Sequence, residues 1–240
     1  MAFDLLSQLL IQFRRFWHCL LPSPCLWCSL PVQHFNRQLC PACAEALPQL
    51  PYLLCHYNLL WLPQVSRGLE HAGFDQLLSI SYYQQPYRHW LQRWKFDQDY
   101  AAGELLQQLF SGLLAQYAKH QRLPEAILYV PMHPAKQRKR GFNPAQLLAQ
   151  AAARQLRIPL ISAFSRPQQQ QAQVGLNRKQ RQKNLRSTFV LNDAITLPKR
   201  VALVDDVVTT GATANALCRL LRRGGVSHIS IWTVAVTLSD

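Results

Sequence analysis

The sequence predicts an α/β protein in which a parallel sheet flanked by helices follows a small N-terminal metal-binding domain. Beyond residue 60, short apolar runs alternate with amphipathic segments, and short connections join them. This order is typical of a parallel sheet that is covered on both faces. Before residue 60 the chain instead carries closely spaced cysteines and several prolines. With 240 residues and 49% hydrophobic content, the chain can bury one main core and a smaller unit. We therefore predict domains over 1–60 and 61–240.

The first strand and helix pair lies in the middle of the chain. Residues 126–131, AILYVP, form an apolar run of the length of a buried strand. Residues 143–156, NPAQLLAQAAARQL, follow with helical periodicity. Asn143 is suited to the N-cap and Pro144 to the first turn, so the spacing predicts a helix that begins there.

A second strand and helix pair is followed by one more strand. RVALVDD, residues 200–206, is a predicted strand, and a helix follows over residues 211–225 until Gly224 and Gly225 end it. VSHISIWTVAV, residues 226–236, is apolar enough for a further buried strand. Because ligands of such sheets bind beyond the carboxyl ends of the strands, functional residues are expected at that edge.

The first twenty residues, MAFDLLSQLLIQFRRFWHCL, predict an amphipathic helix that packs on its own domain. They lack a basic leader and carry Asp4 early, which is unlike a secretory signal. Binding of this helix to a membrane surface is the alternative. No apolar run reaches the roughly 18 to 20 residues of a membrane span. We expect a cytoplasmic protein without a membrane span.

Four of the seven cysteines form two Cys-x2-Cys pairs separated by eleven residues, namely Cys25, Cys28, Cys40 and Cys43. Paired knuckles of this kind suit tetrahedral Zn²⁺, because each brings two thiolates to one ion at about 2.3 Å. A structural zinc site is therefore predicted. Cys19, Cys55 and nearby histidines (His18, His34 and His56) leave the identity of the ligands open, whereas Cys218 lies in a helical apolar pattern and is interpreted as a core residue.

The run VALVDDVVTTGAT at residues 201–213 combines a strand end, two carboxylates and a small polar turn. A turn that leads into a helix N-terminus favours a phosphate, because free backbone N–H groups and the helix dipole point to it. Asp205 and Asp206 can accept hydrogen bonds from sugar hydroxyls or hold a hydrated Mg²⁺. A sugar phosphate fits both halves of the run.

These thirteen residues resemble the phosphoribosyl-pyrophosphate signature of type I phosphoribosyltransferases. The cysteine pairs, followed by VPMHPAKQRKRGFNPAQLLA and QVGLNRKQRQKNLRSTF, are similar to the ComF family, which includes proteins named for competence or for gluconate and DNA utilisation. The resemblance spans most of the chain. It implies a type I phosphoribosyltransferase-like fold. It also implies a reaction in which pyrophosphate is displaced from the anomeric carbon while Mg²⁺ neutralises charge.

The resemblance also implies roles for individual residues. Asp205 and Asp206 would bind the ribose hydroxyls of phosphoribosyl pyrophosphate. The 5′-phosphate would lie on the turn formed by Thr209, Thr210, Gly211, Ala212 and Thr213. The pyrophosphate would be held by the loop after Pro131 and by further basic residues, namely Lys136, Arg138, Arg140 and Arg181.

Charge independently favours a polyanionic partner. The chain has a net charge of +14, and between Ala126 and Asn192 there are 12 Lys and Arg but no Asp or Glu. One basic cluster follows the predicted strand at 126–131 and comprises Lys136, Arg138, Lys139 and Arg140. A second follows a glutamine-rich stretch and comprises Arg178, Lys179, Arg181, Lys183 and Arg186. Single-stranded DNA, bound through its backbone, is therefore an expected partner. The resemblance to the ComF family adds proteins of a DNA-uptake machinery as expected partners.

Three functions remain open from the sequence. The protein can be a Mg²⁺-dependent phosphoribosyltransferase of unknown acceptor, a non-catalytic single-stranded DNA-binding factor that retains the phosphoribosyl site, or a protein that recruits a partner through its zinc unit. Thr209 stands where several purine-using relatives carry an Asp, which disfavours a purine acceptor.

An aromatic and basic segment at residues 81–96 has two interpretations. Tyr87, Trp90 and Trp94 alternate with arginines and lysine, as in a stacking surface for single strands. Their helical spacing equally predicts a buried helix face, which we prefer.

Overall fold

The computed structural model describes residues 12–13, 15–69, 72–166 and 189–238, and it confirms the α/β class. The strands are β1 (Gln76–Tyr82), β2 (Ala126–Tyr129), β3 (Phe164–Ser165), β4 (Val190–Leu191), β5 (Arg200–Val204), β6 (Val207–Val208) and β7 (His228–Val236). The helices are α1 (Pro41–Glu45), α2 (Pro63–Ser66), α3 (Tyr87–Phe96), α4 (Tyr100–His120), α5 (Pro134–Arg140), α6 (Pro144–Leu156) and α7 (Ala212–Arg223), with a 3-10 turn at Leu59–Trp61. Residues 12–13 and 15–20 are also helical.

The main sheet has the strand order β1-β7-β5-β2, and all of its pairings are parallel. The short strand β6 also pairs with β7. β3 and β4 form a separate antiparallel pair. The strands and helices predicted around β2, α6, β5, α7 and β7 are confirmed, and Asn143 caps α6 by accepting a hydrogen bond from Ala145 N. β1 and the 21-residue helix α4 were not predicted.

The pleat of β5 sends alternate side chains to two different cores. Val201 and Leu203 pack with α7, Leu59 and neighbouring apolar residues on one face. Ala202 and Val204 pack on the other face with side chains of α3, α4 and α6. Since successive side chains of a strand point to opposite faces, the parity of a position along β5 decides which helices it meets.

The N-terminal unit shares a core with the sheet domain. Cys25 and Cys40 belong to the same buried cluster as Trp90, and the Trp90 indole N–H donates to Leu26 O at 3.1 Å. The Tyr87 hydroxyl donates to Pro48 O at 3.5 Å. Helix α3 is therefore the element on which the cysteine-bearing segment rests. The domain limits 1–60 and 61–240 stay a prediction.

The aromatic segment at residues 81–96 provides this packing. Tyr87, Trp90, Leu91 and Trp94 are all buried, so the interpretation of the segment as a helix core is confirmed. Trp90 and Trp94, which the alternative interpretation used as a stacking surface, are therefore not available to bases.

Candidate ligand site and metal centre

The acid pair, Asp205 and Asp206, lies between β5 and β6, which both pair with β7. Val204 pairs with Trp232 before the interruption and Val207 with Ala235 after it, so the register does not change. The backbone stays tied to β7 through the acids, because Asp205 N donates to Trp232 O at 2.9 Å. Asp205 and Asp206 are therefore presented by an anchored backbone and not by a loose loop.

The two carboxylates have different surroundings. Asp206 lies against the end of α3, which covers the same face of the sheet as Val204. There its Oδ1 atom lies 2.9 Å from Lys95 Nζ, in the last turn of α3. Both side chains are mostly covered, with 15% of Lys95 and 17% of Asp206 exposed. This ion pair is the main feature of the site that the sequence interpretation missed.

Asp205 is held differently from its neighbour. Its Oδ1 atom accepts a hydrogen bond from Asp206 N at 2.8 Å. Burial raises the pKa of Asp205 to about 7, and the negative charge of Asp206 adds to this increase. The hydrogen bond from Asp206 N and the charge of Lys95 act in the opposite direction. Near neutral pH this carboxyl group can therefore exchange a proton, unlike an ordinary surface aspartate.

The predicted phosphate turn lies between β6 and α7. Thr209 and Thr210 are exposed, and Thr210 Oγ1 accepts a long hydrogen bond from Ala212 N at 3.4 Å. Gly211 is the N-cap of α7 with φ +76°, a conformation that favours glycine. An added Cβ there would lie 3.3 Å from Leu69 Cδ2. Glycine is thus favoured by the backbone geometry, and a side chain at this position would also press on Leu69.

The first basic cluster lies beside the carboxyl end of β2, as predicted. Val130 N donates to Val204 O at 2.9 Å, immediately before the acid pair. Pro131, Met132 and His133 then lead into α5, which carries Lys136, Arg138, Lys139 and Arg140. The first three of these basic residues are exposed. The second cluster, including Arg181, lies outside the described residues.

Aromatic contacts fix α3 against the segment after α5. The rings of Trp94 and Phe142 stack with centroids 5.6 Å apart, and Arg140 places its guanidinium carbon 5.5 Å from the centroid of the Phe96 ring. Both neighbours of Lys95 in the sequence therefore contact residues 140–142. The end of α3 is consequently held beside α5 and the acid pair.

The four predicted cysteines come together at a separate place. The Sγ atoms of Cys25, Cys28, Cys40 and Cys43 all lie within 4.8 Å of one another. Cys28 and Cys40 have their sulfurs 3.7 Å apart, which is close to the edge of about 3.8 Å expected of a tetrahedron with zinc–sulfur bonds of about 2.3 Å. The donor set and spacing fit a structural zinc ion. Within the described ranges this is the only such cluster of His, Cys, Asp or Glu side chains.

Other cysteines have ordinary surroundings. Cys55 is buried in the second core and its thiol donates to Tyr52 O at 3.8 Å, whereas Cys19 is exposed. Neither belongs to the four-cysteine group. Cys218 is buried on α7, which confirms its interpretation as a core residue. Burial raises the pKa of the Cys218 thiol to about 12, so this group is inert near neutral pH.

Backbone amides support the thiolate form within the cysteine centre. Burial alone would raise the pKa of Cys25, but hydrogen bonds from the backbone of Cys28, Cys40 and Trp27 outweigh it and lower the pKa to about 6. Cys40 N, for example, donates to Cys25 Sγ at 3.4 Å. Because metals bind thiolates, this favours Cys25 as a ligand, whereas burial and the neighbouring cysteines raise the pKa of Cys43.

Comparison with known proteins places the chain among its relatives. Competence protein F of Haemophilus influenzae is 35% identical over 220 residues, which are 88% of this chain and 96% of that protein. The chain belongs to the ComF family. Other relatives are the DNA utilization protein YhgH of Escherichia coli K12, at 28% identity over 90% of this chain and 98% of that one, and competence protein ComFC of Streptococcus pneumoniae, at 25% identity over 88% and 86%.

The phosphoribosyl transferase domain family matches residues 138–239 of this ComF-family chain. The match includes the acid pair, the phosphate turn and α7. A solved hypoxanthine phosphoribosyltransferase from Staphylococcus aureus has a TM-score of 0.36 and 13% identity, covering 57% of this chain and 75% of that one. Lys95 and the cysteine centre lie outside the matched range.

None of the helices in the described part of the chain is long and apolar enough to cross a membrane.

Proposed function

We propose that this ComF-family protein binds phosphoribosyl pyrophosphate together with Mg²⁺ and acts in the uptake or use of DNA. The observation that carries the proposal is the anchored acid pair, Asp205 and Asp206, next to a turn that enters α7 through Gly211 at φ +76°. Carboxylates suited to sugar hydroxyls and a helix N-terminus suited to a phosphate lie within one short segment, which supports the proposal.

The two ends of the ligand would contact different groups of the protein. The 5′-phosphate would take the N–H groups at the start of α7, where Thr209, Thr210 and Thr213 add hydroxyl donors and Ala212 leaves room for the phosphate. The ribose hydroxyls would donate to the carboxylates of Asp205 and Asp206. Lys136, Arg138 and Arg140 on or near α5 would attract the pyrophosphate, and Arg181 is proposed for the same role.

Magnesium fits the same edge of the sheet. Carboxylate oxygens are ligands that Mg²⁺ accepts readily, together with phosphate oxygens and water. When bound, the ion would neutralise charge on the departing pyrophosphate of a glycosyl transfer. Within the protein, Asp205 and Asp206 would orient the sugar. Binding should be tightest when Asp205 is ionised, because a carboxylate is the stronger acceptor, and a pKa of about 7 makes this depend on pH near neutrality.

Two arguments support DNA as a partner. Relatives named for competence and DNA utilization align with about nine tenths of this chain. Exposed Lys136, Arg138 and Lys139 form a basic surface that single-stranded DNA can contact through its phosphates. A non-catalytic DNA-binding factor that retains the phosphoribosyl site is the second candidate. In both cases we propose a cytoplasmic location, where reduced cysteines can hold zinc, and proteins of a DNA-uptake machinery as partners.

The ligand proposal is tested by calorimetric titration with phosphoribosyl pyrophosphate, with and without Mg²⁺. Asp205→Asn combined with Asp206→Asn removes two charge-assisted hydrogen-bond acceptors, so affinity should fall by about a hundredfold or more. Asp193→Asn is the matched control. Asp193 is exposed and lies two residues beyond Leu191, whose Cδ2 would be 3.3 Å from a Cβ added at Gly224, at the opposite end of α7. Equal binding by the double variant and its parent would refute the proposed site.

The DNA proposal needs a separate measurement on the same preparations. Lys136→Ala, Arg138→Ala and Lys139→Ala together should weaken single-stranded DNA binding for all sequences and reduce the slope of its salt dependence by about two to three. A control variant changes three exposed basic residues near the carboxyl ends of α4 and α6, namely Lys119, Arg122 and Arg154. If both triple variants lose the same affinity, the effect is one of net charge and α5 is not the DNA surface.

A further inference from the structure

Lys95 comes to the acid pair from a part of the chain that carries none of the predicted site residues. It lies in the last turn of α3, outside the range matched by the phosphoribosyl transferase family. Its Nζ atom contacts Asp206 Oδ1 at 2.9 Å, and only 15% of its side chain is exposed. Covering a flexible, charged side chain to this extent is unfavourable unless the charge is paired.

The packing around Lys95 holds this position. Trp94 is buried and stacks on Phe142, while Phe96 lies beneath the guanidinium of Arg140. Both contacts tie the end of α3 to the segment that follows α5. The lysine is thus held beside the acid pair at the point where α3 meets the end of α5.

A cation and Lys95 cannot share Asp206 favourably. A divalent ion bound to the acid pair would lie within a few ångströms of an ammonium group, and like charges at that distance repel strongly when both are partly buried. While Lys95 keeps its ion pair, the acid pair therefore disfavours a free metal ion. A ligand that brings phosphates changes this balance, because phosphate oxygens offer the ammonium an alternative partner.

We propose that Lys95 is an internal counter-ion that makes the acid pair selective for a cation arriving with a phosphorylated ligand. Without ligand, Lys95 occupies Asp206 and excludes free divalent cations. With a sugar polyphosphate, Lys95 turns to a phosphate oxygen and Asp206 becomes available to the sugar or its cation. The second step rests on the proposed function, whereas the first does not.

The first step is tested with Mn²⁺ alone, followed by the paramagnetic resonance signal of the free ion in the zinc-loaded full-length protein at one pH. Lys95→Met should bind Mn²⁺ about tenfold more tightly than the parent or more, since a nearby positive charge is removed. Lys119→Met is the matched control, because Lys119 is exposed at the end of α4; it should leave Mn²⁺ binding unchanged. Adding Asp206→Asn to Lys95→Met should abolish the gain.

If Lys95→Met binds Mn²⁺ no more tightly than the parent, the counter-ion role is wrong. Lys95→Gln, which keeps a hydrogen bond to Asp206 but not the charge, serves if the methionine variant does not fold. Calorimetry with phosphoribosyl pyrophosphate and Mg²⁺ tests the second step, for which we expect a loss of about tenfold in Lys95→Met. Unchanged affinity there overturns the transfer to phosphate. Absence of binding by the parent refutes the proposed function, and the Mn²⁺ comparison still decides the first step.

Discussion

The cysteine centre and the acid pair both concentrate like charges, but they balance them in different ways. Cys25, Cys28, Cys40 and Cys43 converge to within 4.8 Å, and a cation from outside is the natural partner of their thiolates. The acid pair instead receives Lys95 from within the chain. The comparison contrasts a cluster of thiols that an added metal ion can balance with a pair of carboxylates that a lysine of the same chain balances.

Removal of zinc should have the largest effect. Structural zinc contributes on the order of 10 kcal/mol to folding in small zinc domains at neutral pH, so Cys25→Ser with Cys28→Ser should lose the metal and unfold the N-terminal unit. We expect about one zinc per chain in the parent by elemental analysis and a clear fall in Tm for the variant. Cys19→Ser, at an exposed thiol, should keep both. If the variant lost the metal but kept the parent's Tm, the cysteine centre would not depend on an ion for its structure.

The packing behind Lys95 offers the next test, through two glycines of α4. An alanine Cβ at position 103 would lie 2.3 Å from Trp94 Nε1, whereas at position 112 no heavy atom lies within 4 Å. Gly103→Ala should destabilise the fold by about 1–3 kcal/mol or more through overpacking. Gly112→Ala should stabilise it by about 0.5–1 kcal/mol through helix propensity. Urea unfolding of both variants measures the difference, and equal values would show that Trp94 moves freely.

The contact between helix α3 and the cysteine-bearing segment is tested at Trp90. Trp90→Phe keeps an aromatic ring but deprives Leu26 O of its donor, which should cost about 1–3 kcal/mol of unfolding free energy. Trp61→Phe, at a tryptophan that is 63% exposed, should change stability by less than about 0.5 kcal/mol. Zinc content should stay at one per chain in both. If Trp90→Phe is as stable as its control, the cysteine centre does not depend on α3.

A pH dependence at Asp205 is the last predicted effect, and it is small over any single pH unit. The pKa of this carboxyl is raised from 3.8 to about 7 in the fold, so between these values the folded state holds a proton that the unfolded state has released. Stability should therefore fall as pH rises through this window, by no more than about 1.4 kcal/mol per pH unit, and level off above 7. Asp205→Asn should remove this slope, as measured by denaturant unfolding at several pH values. A parent and variant with parallel profiles would contradict it.

Local features were predictable because neighbouring residues determine them. The spacing of the cysteines predicted their convergence, and Asn143 with Pro144 predicted the start of α6. The order of apolar runs predicted β5, α7 and β7. Each of these depends on residues within about one helix or one turn of each other.

Lys95 could not be placed from the sequence in the same way. Its partner Asp206 comes from the other half of the chain, and the pairing requires that α3 pack on the face of the sheet to which Asp206 points. One signal was available: Lys95 lies four residues after the buried Leu91, so the two share a helix face. A lysine on the apolar face of a helix indicates a buried partner, but the sequence does not say which one.

The unchanged register across the acids has a consequence for insertions and deletions. Val204 and Val207 keep the same alignment with β7, so the two acids between them span the same length of chain as two residues of β7. A deletion of one residue between Val204 and Val207 would break one of these pairings or shift β6 by one position along β7. The place of Asp206 beside Lys95 is thus set by the number of residues between two strand pairings, together with the packing of α3.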